Sequence, residues 1–344
     1  MRMGNEIMVP KKLTCIVIGI GSIGKRHIRN LRDILGDDIN IVAYKISRKG
    51  VGILEKELGI KVFFDIDEAF AQKPDFAVIA NPTSLHVEYA IKAAEYGCHL
   101  FIEKPISDRM NNIEKLRELV KKRKLITFIP YCLRFSRPIL EMKKIMDAGK
   151  LGDAISVEVH VGTYLPDWHP KEDYRQRYSA KKALGGGVLL DLSHEIDYAR
   201  WLFGELRIIS AFVGKKSSLE IETEDTADIT AESDNGVKVK LHLNYIEKPP
   251  KRFCKIVCEN GEIYWDNNTK KIEITDNKTR KKEVIDVEED DNSMYIREME
   301  HFLGCIKNKN ETMIPLDDGI NTLSFILGAK EISANWNEEN QDKE

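Results

Sequence analysis

Hydrophobic and polar positions fall into two regimes along the chain. Up to about Pro130, short apolar runs alternate with helical periods. Leu13 to Gly19, Asn40 to Tyr44, Lys61 to Phe64, Phe76 to Ala80, His99 to Ile102 and Leu125 to Pro130 are mostly apolar and rich in β-branched residues. Such runs mark strands buried on both faces of a parallel sheet. Between them Ile23 to Leu35 carries Ile28, Leu31 and Leu35 at helical spacing. Ile66 to Ala71, His86 to Tyr96 and Asn112 to Lys122 read as further helices. About six βα units result, a doubly wound parallel α/β sheet over residues 11–131.

After Tyr131 the period changes. A helix from Ile139 to Ala148 ends at the joint Gly149-Lys150-Leu151-Gly152. Strands then dominate: Ala154–Val161, Arg207–Val213, Thr226–Ser233, Val237–Tyr245, Cys254–Cys258, Glu262–Trp265 and Lys271–Thr275. Asp234-Asn235-Gly236 and Asn260-Gly261 are hairpin signals, and Val237 to Leu243 alternates apolar with Lys, Lys and His. The pattern predicts an α+β domain over residues 132–336 with a large, open, mostly antiparallel sheet. Helices Met294–Ile306 and Gly319–Trp336 close it, and the last eight residues read as a frayed end.

Two glycine-rich stretches interrupt these patterns. The first strand runs into Gly19-Ile20-Gly21-Ser22-Ile23-Gly24 and then a helix. Strand, G-x-G-x-x-G and helix together give a dinucleotide-binding turn. Gly19 serves the tight turn, Gly21 leaves room for a pyrophosphate, and Gly24 lets helix and strand pack closely. Backbone N–H groups of Ser22 and Ile23 sit at the helix N-terminus, which favours phosphate. The end of the second strand lacks the acid that usually binds the adenosine ribose. Tyr44 and Lys45 stand there, followed by Ser47, Arg48 and Lys49, which suit a 2′-phosphate. The expected cofactor is NADP, with NAD the alternative. Strand ends in such a sheet face the ligand crevice, which puts Asn81, Pro82, Thr83, His86, Glu103 and Lys104 beside the cofactor.

The second stretch, Gly185 to Gly204, reads as one helix after three glycines. Asp191, His194, Tyr198 and Trp201 share one face, and Leu192, Ile196, Ala199 and Phe203 face the core. Asp197 and Arg200 read as a solvated or interdomain pair. Upstream, residues 162–179 form a loop dense in Tyr, Trp, Arg and Pro. Tyr164, Trp168 and Tyr178 offer flat faces to a sugar ring, and Arg175 or Arg177 can hold a carboxylate or phosphate. The same loop also reads as packing against the sheet or a neighbouring subunit.

Composition narrows the class. The 344 residues are 42% hydrophobic and 32% charged, with net charge −3. That suits a globular protein of about two domains and gives no electrostatic case for nucleic acid. No apolar run reaches the roughly 20 residues of a membrane span, and the opening MRMGNEIMVPKK does not read as a signal peptide. The six cysteines have no metal-knuckle spacing, so no metal is expected, and reduced thiols point to the cytoplasm.

Gly19–Gly24, Asn81-Pro82, Glu103-Lys104-Pro105 and the three glycines followed by Asp191, His194 and Asp197 resemble the Gfo/Idh/MocA family, in matching order and spacing over almost the whole chain. The resemblance implies an N-terminal Rossmann domain and a C-terminal domain with an open sheet, through which members form homodimers or homotetramers. It implies NAD(P)-dependent transfer of a hydride to or from a sugar or cyclitol, with Lys104 and His194 as the active-site pair and Asp191 nearby. An unperturbed imidazole suits acid–base work near neutrality, and Lys104 can stabilise charge on the reacting oxygen. The arginines and aromatics favour a nucleotide sugar or sugar acid. The alternatives are an inositol or polyol dehydrogenase and a cofactor-binding regulator without catalysis. One departure stands out: the family spaces Asp-x-x-x-His, whereas Asp191-Leu-Ser-His194 is a residue shorter.

Overall fold

The strand β1 (Leu13–Ile18) offers apolar side chains to both faces, and its last four residues are buried. The computed structural model describes residues 12–48 and 50–341. Lys49, the opening residues 1–11 and the last three residues therefore lie outside the described residues, with the expectations placed on them. Around β1 pair β2 (Ile39–Tyr44), β3 (Lys61–Phe63), β4 (Phe76–Ile79), β5 (His99–Ile102) and β6 (Thr127–Phe128), all parallel, in the order β3-β2-β1-β4-β5-β6. The helices α1 (Ser22–Leu35), α2 (Val51–Leu58), α3 (Ile66–Phe70), α4 (His86–Glu95) and α5 (Ile113–Arg123) connect them. This is the expected doubly wound sheet. Its strand order reverses between β1 and β4, so a crevice opens beyond their carboxyl ends.

The second sheet has eight strands: β7 (Ala154–Tyr164), β8 (Leu206–Gly214), β9 (Thr226–Ser233), β10 (Lys238–Asn244), β11 (Ile246–Cys258), β12 (Gly261–Asp266), β13 (Lys271–Asp276) and β14 (Lys282–Asp286). Their order is β14-β13-β12-β11-β7-β10-β9-β8; β7 and β10 run parallel and the other pairs antiparallel. Along β10, Val239 and Leu241 are buried while Lys238 and Lys240 are exposed, the signature of a sheet covered on one face. The covering elements include α7 (Val188–Asp191) and α8 (His194–Phe203). α6 (Arg137–Asp147) leads into this sheet, and α9 (Ser293–Asn308) and α10 (Leu316–Gln341) follow it. No described helix is long and apolar enough to cross a membrane.

Several sequence expectations change. α2 and β14 were not expected: Gly50 and Gly52 bracket the start of α2, and β14 is a mostly exposed edge strand without a clear alternation. The run Leu125–Pro130 pairs only at Thr127–Phe128, because Ile129 instead donates its N–H to the Ile314 carbonyl. β11 begins at Ile246, in a stretch of Lys and Pro that obscures a strand. α10 runs to Gln341, past the Trp336 at which the pattern ends.

Helix α9, distant in sequence, completes the first core. Phe302 packs edge-on to Phe76 and Phe101, at 5.7 and 5.5 Å between centroids, and stacks near Phe128. The division at residue 132 is therefore crossed by packing. Of the solvated or interdomain readings of Asp197 and Arg200, the solvated one fails, since both residues are buried. Arg134, in the turn after β6, grips Asp197 with two parallel bonds of 2.8 and 2.7 Å and reaches Asp318 at 2.8 Å. Arg200 turns to Glu205, Asp318 and Thr322. Charges this deep persist only when paired, and the cluster ties α8 to the turn after β6 and to the start of α10.

Candidate active site

Beyond β1 and β4 lies a cavity of about 790 Å³, lined by residues of both halves. Gly19 turns the chain with φ +99°, and a Cβ there would sit 2.6 Å from the Ala80 carbonyl oxygen and the Asn81 nitrogen. Only glycine fits this crossing. A Cβ on Gly21 would meet nothing within 4 Å, so open space remains at the start of α1 for a pyrophosphate beside helix N–H groups. Gly24 is a packing residue instead, since its Cβ would lie 2.1 Å from the Gly19 carbonyl oxygen. Ser22, Ile23 and Arg26 line the floor, and Tyr44, Lys45, Ser47 and Tyr89 line one end. Asn81, which also lines the cavity, has both amide atoms buried without a hydrogen-bond partner. A buried amide so placed is satisfied by a ligand, and this set of residues fits a dinucleotide.

At the other end Lys104 and His194 face the same space. Lys104 Nζ donates to the backbone carbonyl of Asp191 at 2.5 Å, which fixes the ammonium at the carboxyl end of β5. His194 opens α8, with its ring edge-on to Tyr131 and Nε2 3.9 Å from Cys132 Sγ. Burial, and then the charges of Lys104 and Arg252, hold its pKa well below 6.5, so the imidazole is neutral at pH 7. Glu103 also lines the cavity and is held 2.5 Å from the buried His27.

Asp191 does not line the cavity. The single helix expected across residues 188–204 breaks at Leu192 and Ser193, between α7 and α8. The break removes the common face expected for Asp191 and His194. The Asp191 carboxylate turns inward, where Tyr245 donates to it at 2.5 Å and Tyr178 and Ser179 also bond it. Burial raises its pKa, while Lys104 and these hydroxyls oppose the rise. Asp191 thus meets the site through its carbonyl on Lys104 and its carboxylate on Tyr178.

The remaining expected residues divide. Pro82, Thr83, His86 and Tyr178 line the cavity. His86 is buried between two carbonyls, its ring nitrogens 2.9 Å from Pro105 O and 2.8 Å from Asn81 O, and burial lowers its pKa. Arg48 lies outside the lining, over the Phe64 ring at 4.4 Å. Arg175 points to solvent, held by Asp173 and Glu220. Trp168 packs edge-on to Tyr245 and bonds Thr163, and Tyr164 packs against the core near Lys248, so neither lines the cavity. The three glycines approach protein rather than ligand; a Cβ on Gly185 would lie 2.9 Å from Thr83 Cβ.

Polar or reactive cavity residues that the sequence reading did not assign to the site are Arg26, Tyr89, Cys132, His169 and Tyr295. Arg26 and Tyr89 had a usable signal, standing four and three residues after Ser22 and His86 on their helices. Tyr295 had none, since it comes from α9, where Arg26 stacks on its ring at 4.2 Å.

Residues 13–131 match the oxidoreductase family with an NAD-binding Rossmann fold, and residues 139–264 match the Gfo/Idh/MocA C-terminal domain. The chain belongs to the Gfo/Idh/MocA family. Among its Gfo/Idh/MocA relatives is the scyllo-inositol 2-dehydrogenase (NAD(+)) of Bacillus subtilis, 28% identical over 197 residues, which are 56% of this chain and 54% of that protein. The levoglucosan dehydrogenase of Pseudarthrobacter phenanthrenivorans is 34% identical over 143 residues, 40% of this chain and 36% of that one. The chain thus spans about half the length or less of these two relatives. The WlbA dehydrogenase of Bordetella pertussis, solved with NADH and UDP-GlcNAcA, shares the fold with a TM-score of 0.79 at 20% identity, over 95% of this chain and 96% of that chain.

Proposed function

We propose that this Gfo/Idh/MocA member is an NAD(P)-dependent oxidoreductase acting on a secondary alcohol or ketone of a sugar. Its finer substrate class is a sugar acid or nucleotide sugar. The observation that carries the reading is the meeting of Lys104 and a neutral His194 at one end of a cavity whose other end fits a dinucleotide. When bound, the nicotinamide supplies a site that accepts or returns a hydride. A carbinol hydroxyl is a poor acid, so the protein must take its proton. The neutral imidazole of His194 does so as general base and returns it in the reverse direction as general acid. The Lys104 ammonium, fixed by the Asp191 carbonyl, lies where it stabilises negative charge developing on the same oxygen. Tyr178 and the Asn81 amide orient what lies between.

Tyr44, Lys45 and Ser47 line the adenosine end where a carboxylate would repel a 2′-phosphate, which supports NADP over NAD. A neutral cyclitol is the second reading, supported by the inositol dehydrogenase relative. Free, buried thiols at all six cysteines support a cytoplasmic setting, and the uncovered face of the eight-stranded sheet supports a homodimer or homotetramer. The test is to incubate the protein with NADP or NAD and a panel of sugar acids, nucleotide sugars, sugars and inositols, following the absorbance of reduced cofactor. Turnover with one class is expected, and His194→Ala should lower it by about 10²–10⁴-fold. Silence across the panel despite tight cofactor binding refutes the enzyme in favour of a regulator, and a strong preference for NAD refutes the cofactor assignment.

A further inference from the structure

We propose that Arg177 anchors a carboxylate carried by the substrate's own sugar ring, so that the site takes uronates or aldonates rather than diphosphate-linked sugars. The inference rests on the oxidoreductase reading above, whose substrate class it narrows to one anchoring residue and one anion. Of the two loop arginines, Arg175 points outward onto Asp173 and Glu220, whereas Arg177 lines the cavity next to Tyr178, whose hydroxyl bonds Asp191. Its side chain is 23% exposed, yet its partner is Glu172, which is 60% exposed. A pair with one partner in water is weak. A substrate carboxylate inside the cavity meets the same fork with less solvent competition, and the planar guanidinium matches it with two parallel bonds. Glu172 then returns to solvent at little cost.

The charges decide which anion. Arg26, stacked on Tyr295 beside α1, Lys45 at the adenosine end, and Lys104 supply three cations of the cavity lining. Among the described lining residues Arg177 is the one further cation, enough for a single carboxylate and short of what a second diphosphate requires. His169 also lines the cavity; burial and the neighbouring Arg177 hold its pKa down, so it adds a neutral ring that can donate one hydrogen bond without a second charge.

The test measures binding by calorimetry on the full chain at saturating NADPH, using matched pairs such as D-galacturonate with D-galactose and D-gluconate with D-glucitol, and UDP-glucose as the diphosphate probe. Turnover is followed in parallel. At least one carboxylate should bind more tightly than its neutral twin and than UDP-glucose. Arg177→Gln should weaken that carboxylate by roughly 10- to 100-fold, as expected for a lost charge-assisted bidentate pair, with the neutral twin unchanged. Arg177→Lys should recover part of the loss, Arg175→Gln should change nothing, and Glu172→Gln should tighten the carboxylate by removing its competitor. Equal binding within every pair, tighter binding of UDP-glucose, or an Arg177→Gln protein that retains carboxylate affinity overturns the proposal. Calorimetry needs no chemistry, so the two readings fail separately. Arg177-dependent carboxylate binding without turnover leaves the anchor and removes the enzyme, whereas turnover of neutral sugars untouched by Arg177→Gln does the reverse.

Discussion

Replacing Arg134 by Met tests whether the buried charge cluster holds α8 in place. Arg134 and Asp197 have side-chain exposures of 3% and 0%, joined by bonds of 2.7 and 2.8 Å. Without the guanidinium, Asp197 is left as an uncompensated carboxylate in the core, while Asp318 keeps Arg200. Breaking one side of such a pair costs about 3–5 kcal/mol, the loss expected in urea unfolding at pH 7.5. The pH dependence gives a second handle. Burial already pushes the Asp197 carboxyl up to about 6 against the pull of Arg134, and removing Arg134 raises it further. A carboxyl raised in the folded state favours folding at low pH, and that contribution is lost as pH rises through its folded pKa. The variant's penalty therefore grows between about pH 6 and its own higher pKa, and at pH 5 it should be smaller by at least about 1.4 kcal/mol, one pKa unit of linkage. Arg134→Met with Asp197→Leu removes both charges and should return to within about 1 kcal/mol of the parent. A penalty below about 1 kcal/mol at pH 7.5, or equal penalties at the two pH values, refutes the reasoning.

Three further outcomes are expected. In alcohol oxidation the acidic limb of kcat/KM, set by protonation of His194, should fall below pH 6.5, and Lys104→Met should move it upward because a neighbouring cation is gone. A wild-type limb at or above 6.5 contradicts this. Gly19→Ala puts a Cβ 2.6 Å from the Ala80 carbonyl oxygen and should weaken cofactor binding by about tenfold or more, of the order of a strained backbone position; an unchanged Kd by cofactor fluorescence counts against the cradle. Tyr245→Phe removes a donor to buried Asp191 and should cost about 1–3 kcal/mol of stability and lower kcat with cofactor Kd unchanged. A loss of cofactor affinity instead would show that Asp191 serves the other end of the cavity.

The parallel sheet was legible because its strands are continuous apolar runs and its turns carry Gly19, Gly21 and Gly24, whose spacing has one main physical use. The second sheet was legible from its alternation and its Asn-Gly turns. Two kinds of feature were not. The break at Leu192–Ser193 falls inside a helical pattern without Gly or Pro, so periodicity ran straight through it and put Asp191 on the wrong side of the wall. The partners of Asp197 and Arg200 are Arg134, Glu205 and Asp318, mostly distant in sequence, and a charged residue that will be buried looks in one dimension like one on the surface. The same holds for Arg175 and Arg177. They are two residues apart with the same side chain, and only the loop's short helical turns decide that the second faces the cavity.

The position of α9 bears on the order in which the molecule can be made. Phe302 closes the aromatic core of the first sheet and Tyr295 closes part of the cavity wall, and both leave the ribosome after every strand of either sheet. A nascent chain that has produced only the first six strands thus presents Phe76, Phe101 and Phe128 without their cover and a cofactor cleft without one side. The segment that seals both is made after every strand, so cofactor affinity and the closing of the first core arrive together. A chain cut before Ser293 should be recognised by the cell as unfinished rather than as a working domain.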